Sequence, residues 1–186
     1  MRKVPLITIL VLSLSLSLSG TFSRAASDNQ VPKGDPKNSQ VSKADEKFVK
    51  DAAAGSLMEV ELGKIAVEKA SNQGVKDYGR RMQEDHGKAN DELKTLAANK
   101  GIVLAKSMDG KHKKIIDRLS KLSGDKFDRE YIRTMVNDHK EVLASFQREA
   151  DKGTDAEIKQ FASKYAPVIK THLELAQKSD QHLKAK

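Results

Sequence analysis

Four side chains able to hold a transition metal sit at helical spacings in this chain: Glu59, His86, His139 and His172. Imidazole nitrogens and carboxylate oxygens are common ligands of first-row metals. Two of the histidines share a setting. Met82-Gln83-Glu84-Asp85-His86 is echoed fifty-three residues later by Met135-Val136-Asn137-Asp138-His139. Neighbouring residues on a helix point about 100° apart. Asp85 and Asp138 are therefore expected to orient imidazoles of adjacent helices, as supporting residues behind the ligands. The competing reading is a satisfied polar core, in which imidazole–carboxylate bonds fix bundle register. Cysteine is absent, which excludes thiolate metal sites, disulfides and a cysteine nucleophile. No Gly-x-Ser-x-Gly elbow marks an activated serine. His112, in Lys-His-Lys-Lys, and His182 near the C-terminus are expected in solvent.

The elements that must position these residues are four long helices. The first starts at Ser42-Lys43-Ala44-Asp45, a variant capping box with Asp in place of Glu, and runs to about Ala70. Phe48, Ala52, Gly55, Glu59, Leu62 and Ala66 share one of its faces. Ser71-Asn72-Gln73-Gly74 breaks the pattern. The second helix carries Val75, Gly79, Met82, His86, Ala89, Leu93 and Leu96 at steps of three and four, and Gly101 closes it. A third, from about Asp125 to Asp151, carries Ile132, Met135, His139, Val142 and Phe146. Lys152-Gly153 ends it, and Thr154-Asp155-Ala156-Glu157 reads as a full capping box for the fourth. That helix bears Ile158, Phe161, Tyr165, Val168, His172 and Leu175, with Pro167 expected to kink it. Tight turns make two antiparallel hairpins. The stretch Gly101–Gly124 is too long for a turn, and its Ile115, Ile116, Leu119 and Leu122 suggest a short helix inside a crossover. The expected fold is all-α, a ferritin-like four-helix bundle of two antiparallel hairpins with one long crossover containing a short helix.

Counting along such a bundle places Glu59 opposite His86 across the first hairpin. His86 and His139 then differ in height by ~4–5 Å, and His172 lies ~7–8 Å from the level of His139. A transition metal ion is the cofactor these residues would suit.

Arg2 and Lys3 precede an apolar run from Val4 to Leu18, and Ser23-Arg24-Ala25 offers small residues at a cleavage site. This order reads as a secretory signal over residues 1–25. The run is shorter than the ~20 residues a spanning helix needs, so no transmembrane helix is expected after signal cleavage. Residues 26–43, rich in Pro, Gly and small polar side chains, read as a flexible leader, and residues 44–184 as the bundle. The formal charge of the 186-residue chain is +8; loss of Arg2, Lys3 and Arg24 leaves +5. The lysines are spread rather than striped and aromatics are few, so no nucleic-acid partner is expected. Weak association with an anionic envelope surface is consistent with the charge.

The stretches Ala52–Ala97, Phe127–Phe146 and Tyr165–Ala176 resemble the bacterial family designated domain of unknown function 4142. The resemblance rests on Glu59, Met82-Gln83-Glu84-Asp85-His86, Phe127-Asp128 with Tyr131, His139, Pro167 and His172. It implies a ferritin-like fold and an exported protein, often described as belonging to the outer membrane, and it implies no activity. Di-iron members of the ferritin-like class use Glu-x-x-His on two helices. Here Gln83 and Val136 stand three residues before His86 and His139, which argues against a standard di-iron ferroxidase. The residues favour an exported, periplasmic or outer-membrane-associated bundle with a non-catalytic binding or stress-related role. The alternative is a metal-binding protein using Glu59, His86, His139 and His172.

Overall fold

The apolar stripes become five helices. A computed structural model describes residues 41–185; the expected signal segment and residues 26–40 of the expected leader lie outside the described residues. In chain order the helices are α1 (Lys43–Lys69), α2 (Gln73–Asn99), α3 (Gly110–Ser120), α4 (Gly124–Lys152) and α5 (Ala156–Lys184). Among the described residues there is no strand. None of these helices is long and apolar enough to cross a membrane.

Turn chemistry pairs the helices. The Ser42 hydroxyl accepts from the Asp45 N–H at 3.1 Å and opens α1. Asn72 caps α2 through its side chain, and Asp155 caps α5 through bonds from the N–H groups of Glu157 and Ile158. The cap of α5 is thus Asp155, not Thr154 as the capping-box pattern suggested. The reason lies across the bundle. The Asp45 carboxylate accepts from the Thr154 N–H, the Thr154 hydroxyl at 2.8 Å and the Asp155 N–H at 2.8 Å. Thr154 is held by this bond and is not available as a cap.

The opposite end repeats the device. Asp128 accepts from the Ser71 N–H, the Ser71 hydroxyl at 2.6 Å and the Asn72 N–H at 2.8 Å. Asp45 and Asp128, Ser71 and Thr154, and Asn72 and Asp155 each stand eighty-three residues apart. The start of α1 meets the end of α4, and the start of α4 meets the end of α1, so these helices are antiparallel. Lys100, just past α2, pairs at 2.8 Å with Asp155 at the head of α5, so α2 and α5 are antiparallel too. The two hairpins are related by an approximate two-fold with one register, and α2 runs parallel to α4. The crossover that makes this possible carries α3, which lies against α1 and α4.

Packing differs between the hairpins. An added Cβ at Gly63 would come within 2.5 Å of the Gly79 carbonyl, so α1 and α2 approach as only glycine permits. The mates of this pair, Phe146 and Ala162, carry side chains. Pro167 lies within α5 and does not end it, and Thr171 donates to its carbonyl at 3.0 Å.

The buried interior is two apolar clusters. Met58, Leu62, Met82, Phe127, Tyr131 and Met135 belong to the one toward the α1–α2 turn. Phe48, Leu93, Phe146, Ile158 and Phe161 belong to the one toward the α4–α5 turn. Glu59, His86, His139 and His172 are buried along the same helices and belong to neither cluster. Burying four polar side chains costs stability unless each finds a partner, and that cost directs attention to what they do together.

Candidate metal centre

His86 comes from α2, His139 from α4 and His172 from α5. Their ring centroids lie 5.7 Å (His86–His139), 5.3 Å (His86–His172) and 5.6 Å (His139–His172) apart. One nitrogen of each falls within 4.8 Å of the others. The expected 7–8 Å offset of His172 is not found. The α4–α5 turn centres on Thr154, fifteen residues after His139 and eighteen before His172, a height difference of ~4.5 Å. Helical side chains lean toward their own N-terminus. In an antiparallel pair, His139 leans away from the turn and His172 toward it, so the rings converge.

Each ring is oriented so that one nitrogen stays open. The His139 Nδ1–H donates to the Met135 carbonyl at 3.0 Å, and His139 Nε2 has no partner. The His172 Nε2–H donates to Asp85 at 2.9 Å, and His172 Nδ1 has no partner. His86 Nε2 is likewise unpartnered. Asp85 thus serves a histidine on a neighbouring helix, and Arg81, 3.3 Å away, holds the carboxylate in turn. Burial, then the neighbouring His139 and His172, keep the His86 ring well below the usual imidazole range. Burial also lowers His139. It brings His172 down to about 4, against the opposing hydrogen bond to Asp85. All three rings are neutral at pH 7, with lone pairs free to coordinate.

Glu59 sits elsewhere than the hairpin count suggested. Its carboxylate groups with Asp138 and His139 on α4 rather than with His86 across the first hairpin. Glu59 Oε1 lies 3.6 Å from His139 Nδ1, and neither carboxylate oxygen has a hydrogen-bond partner. The level along α1 is near the expected one; what differs is the face, because α1 also packs against α4. Asp138 accordingly lies beside the Glu59 carboxyl as well as the His139 ring. Burial pushes Glu59 up to about 7. Burial, then the Glu59 charge, pushes Asp138 up to about 8. The pair therefore holds a proton at neutral pH.

All six polar residues line a cavity of about 40 Å³, large enough for a water or a small ion. Its other lining follows the eighty-three-residue register. Asp138, His139, Glu59, Asp85, His86 and His172 have as mates Gly55, Ser56, Val142, Val168, Ile169 and Ala89, and all six mates line the same cavity. The chamber therefore straddles the two-fold, with one reactive lobe and one inert lobe. Sequence reading missed this pairing, because mates of such different chemistry leave no visible repeat. It also placed His112 in solvent. The ring is only 14% exposed, and its Nδ1 lies 3.0 Å from Asp109. His182 is exposed, as expected.

A tetrahedral ion at about 2.0–2.1 Å from three nitrogens would hold them about 3.3 Å apart. Reaching that from separations within 4.8 Å needs displacements of about 1 Å, within the reach of imidazole rotation. The donor chemistry fits as well: three neutral imidazoles with open nitrogens, and two carboxyls beside them to balance cationic charge.

Fold and site together define a class: an all-α bundle of two hairpins whose interior carries a histidine triad beside a carboxyl pair. Residues 30–178 match the domain of unknown function DUF4142, and the chain belongs to that family. No curated protein matches the sequence. The fold is similar to the crystal structure of a DUF305 fragment from Deinococcus radiodurans, with a TM-score of 0.67 and 13% identity. The likeness covers 76% of this chain and 98% of that one.

Proposed function

We propose that this protein is an exported metal-binding bundle that holds one first-row transition metal ion on His86, His139 and His172, with Glu59 and Asp138 supplying negative charge. One observation carries the reading: three buried, neutral imidazoles from three helices line one small cavity, and each keeps a nitrogen unpartnered. Two of the rings are fixed by bonds to the other nitrogen, the arrangement by which proteins orient metal-binding histidines. Imidazole suits Zn, Cu, Ni and Fe, and the general affinity order among divalent ions puts copper first. Export rests on the charge, apolar run and small-residue site of residues 1–25.

The test is titration of metal-stripped protein with Cu²⁺ and Zn²⁺, read by calorimetry and by elemental analysis after desalting. One ion per chain, lost in His139→Ala and in His86→Ala, is the expected result. A protein that keeps no metal and melts identically with and without a chelator would refute the reading. That result would leave the partner-binding or stress-related role expected from the sequence.

A further inference from the structure

The histidines are enclosed, so an ion must reach them by some path. Beside the chamber lies an open surface pocket of about 330 Å³. Five residues line both spaces: Ala52, Gly55, Asp138, Val142 and Phe146. Asp138 is the polar, ionisable member of that shared wall. An added Cβ at Gly55 would meet nothing within 4 Å, so the backbone there faces open space.

The outer pocket carries further ligand-type groups. Asp109 and His112, from the head of α3, and Glu141, from α4, stand at its rim. Two lysines and another acid complete its charges. Lys47 is paired with Asp51, which leaves Lys111 against Asp109 and Glu141. The balance favours a cation. Inward from Asp138, the Glu59 carboxylate has no hydrogen-bond partner and is almost wholly buried. Glu59, Asp138 and His139 each place a ligand atom within 4.8 Å of the other two. An ion passing from rim to threshold to Glu59 and then to the histidines would exchange one ligand at a time and never lie bare in an apolar wall, where an uncompensated charge is costly.

We propose that this pocket is the loading port of the metal centre, with Asp138 as its threshold and Gly55 as its opening. The inference rests on the metal-binding reading, and its test separates the two. Metal-stripped protein is mixed with Co²⁺ in a stopped-flow instrument, and the rise of the cobalt absorption band gives the loading rate. Release is followed after mixing loaded protein with a chelator.

Asp138→Asn replaces the threshold carboxyl, which can give up its proton to an arriving cation, with an amide of nearly the same shape. Gly55→Leu fills the opening, and the free space around Gly55 lets the helix accept a side chain. Circular dichroism and melting verify that both variants are folded. A residue that only lines the route changes loading and release by the same factor and leaves affinity unchanged, because the end states are the same. Gly55→Leu is expected to slow both steps tenfold or more at unchanged cobalt affinity, and Asp138→Asn, which also removes a carboxyl beside the ion, is expected to slow loading tenfold or more. Loading at the native rate in either variant overturns the port. Wild-type protein that takes up no cobalt overturns the port together with the metal-binding reading.

Discussion

Replacing Glu59 by Gln tests whether the carboxyl pair is buried at the expense of the fold. Burial moves Glu59 from an ordinary value near 4.5 to about 7. Between those values the folded protein keeps a proton that the unfolded chain has released. Stability therefore falls as pH rises through this window, and the loss is complete above about 7. A tenfold difference in proton affinity between the folded and unfolded chain is worth about 1.4 kcal/mol. Between pH 5 and pH 8 the Glu59 contribution comes to about 2–3 kcal/mol for metal-free protein. His172, lowered to about 4, acts in the opposite sense below pH 6.5, since there the unfolded ring gains a proton first. That contribution is common to both proteins and cancels in their difference. Asp138 works in the same direction as Glu59, because the Glu59 charge is part of what holds the Asp138 carboxyl high and the variant lacks it. Urea unfolding in the presence of a chelator, followed by circular dichroism at both pH values, reads the effect. The pH 5 to pH 8 loss in Glu59→Gln should be smaller than in wild type by about 2–3 kcal/mol, a midpoint difference on the order of 1 M for a typical m-value. Parallel pH curves for the two proteins would show that Glu59 titrates normally, and the account of a desolvated carboxyl pair would be wrong.

Three further outcomes are expected. Asp85→Asn should weaken metal binding by about 10–100-fold in calorimetry while the fold persists, since it disturbs the acceptor that orients His172. Asp45→Ala and Asp128→Ala should each cost about 2–4 kcal/mol in urea unfolding, because each leaves two backbone N–H groups without their charged acceptor, and Asp45→Ala the Thr154 hydroxyl as well. Gly79→Ala should destabilise by about 1–3 kcal/mol, because its Cβ would lie 2.8 Å from the Ala66 Cβ. Gly87→Ala, with open space around it, should instead stabilise by about 0.5–1 kcal/mol.

The helices were legible because their apolar residues recur at steps of three and four, and every long stripe became a helix within a few residues of its expected ends. The crossover was legible because Gly101–Gly124 is too long for a turn. What the sequence hid lies between elements. The Met-x-x-Asp-His repeat draws attention to α2 and α4, which run parallel but are not neighbours in the bundle. The register that organises the bundle instead relates α1 to α4 and α2 to α5. Its mates keep shape and end-chemistry, as Asp45 and Asp128 do, while differing in the middle, as His139 and Ser56 do. The inward histidines could be named from the stripes. The face to which Glu59 turns, and the convergence of His172 on His139, depend on helix rotation and side-chain lean. Residue counting carries neither.

The shared register also makes the location of the chemistry separable from the architecture. Exchanging the six polar residues with their counterparts, Asp138 with Gly55, His139 with Ser56 and so through Ala89, would rebuild the same constellation half a turn away. The Asp45 and Asp128 staples at the bundle ends would be untouched. A transplanted centre of that kind would be a rotated twin of the first, giving protein engineers two addresses for one reactive group within a single frame.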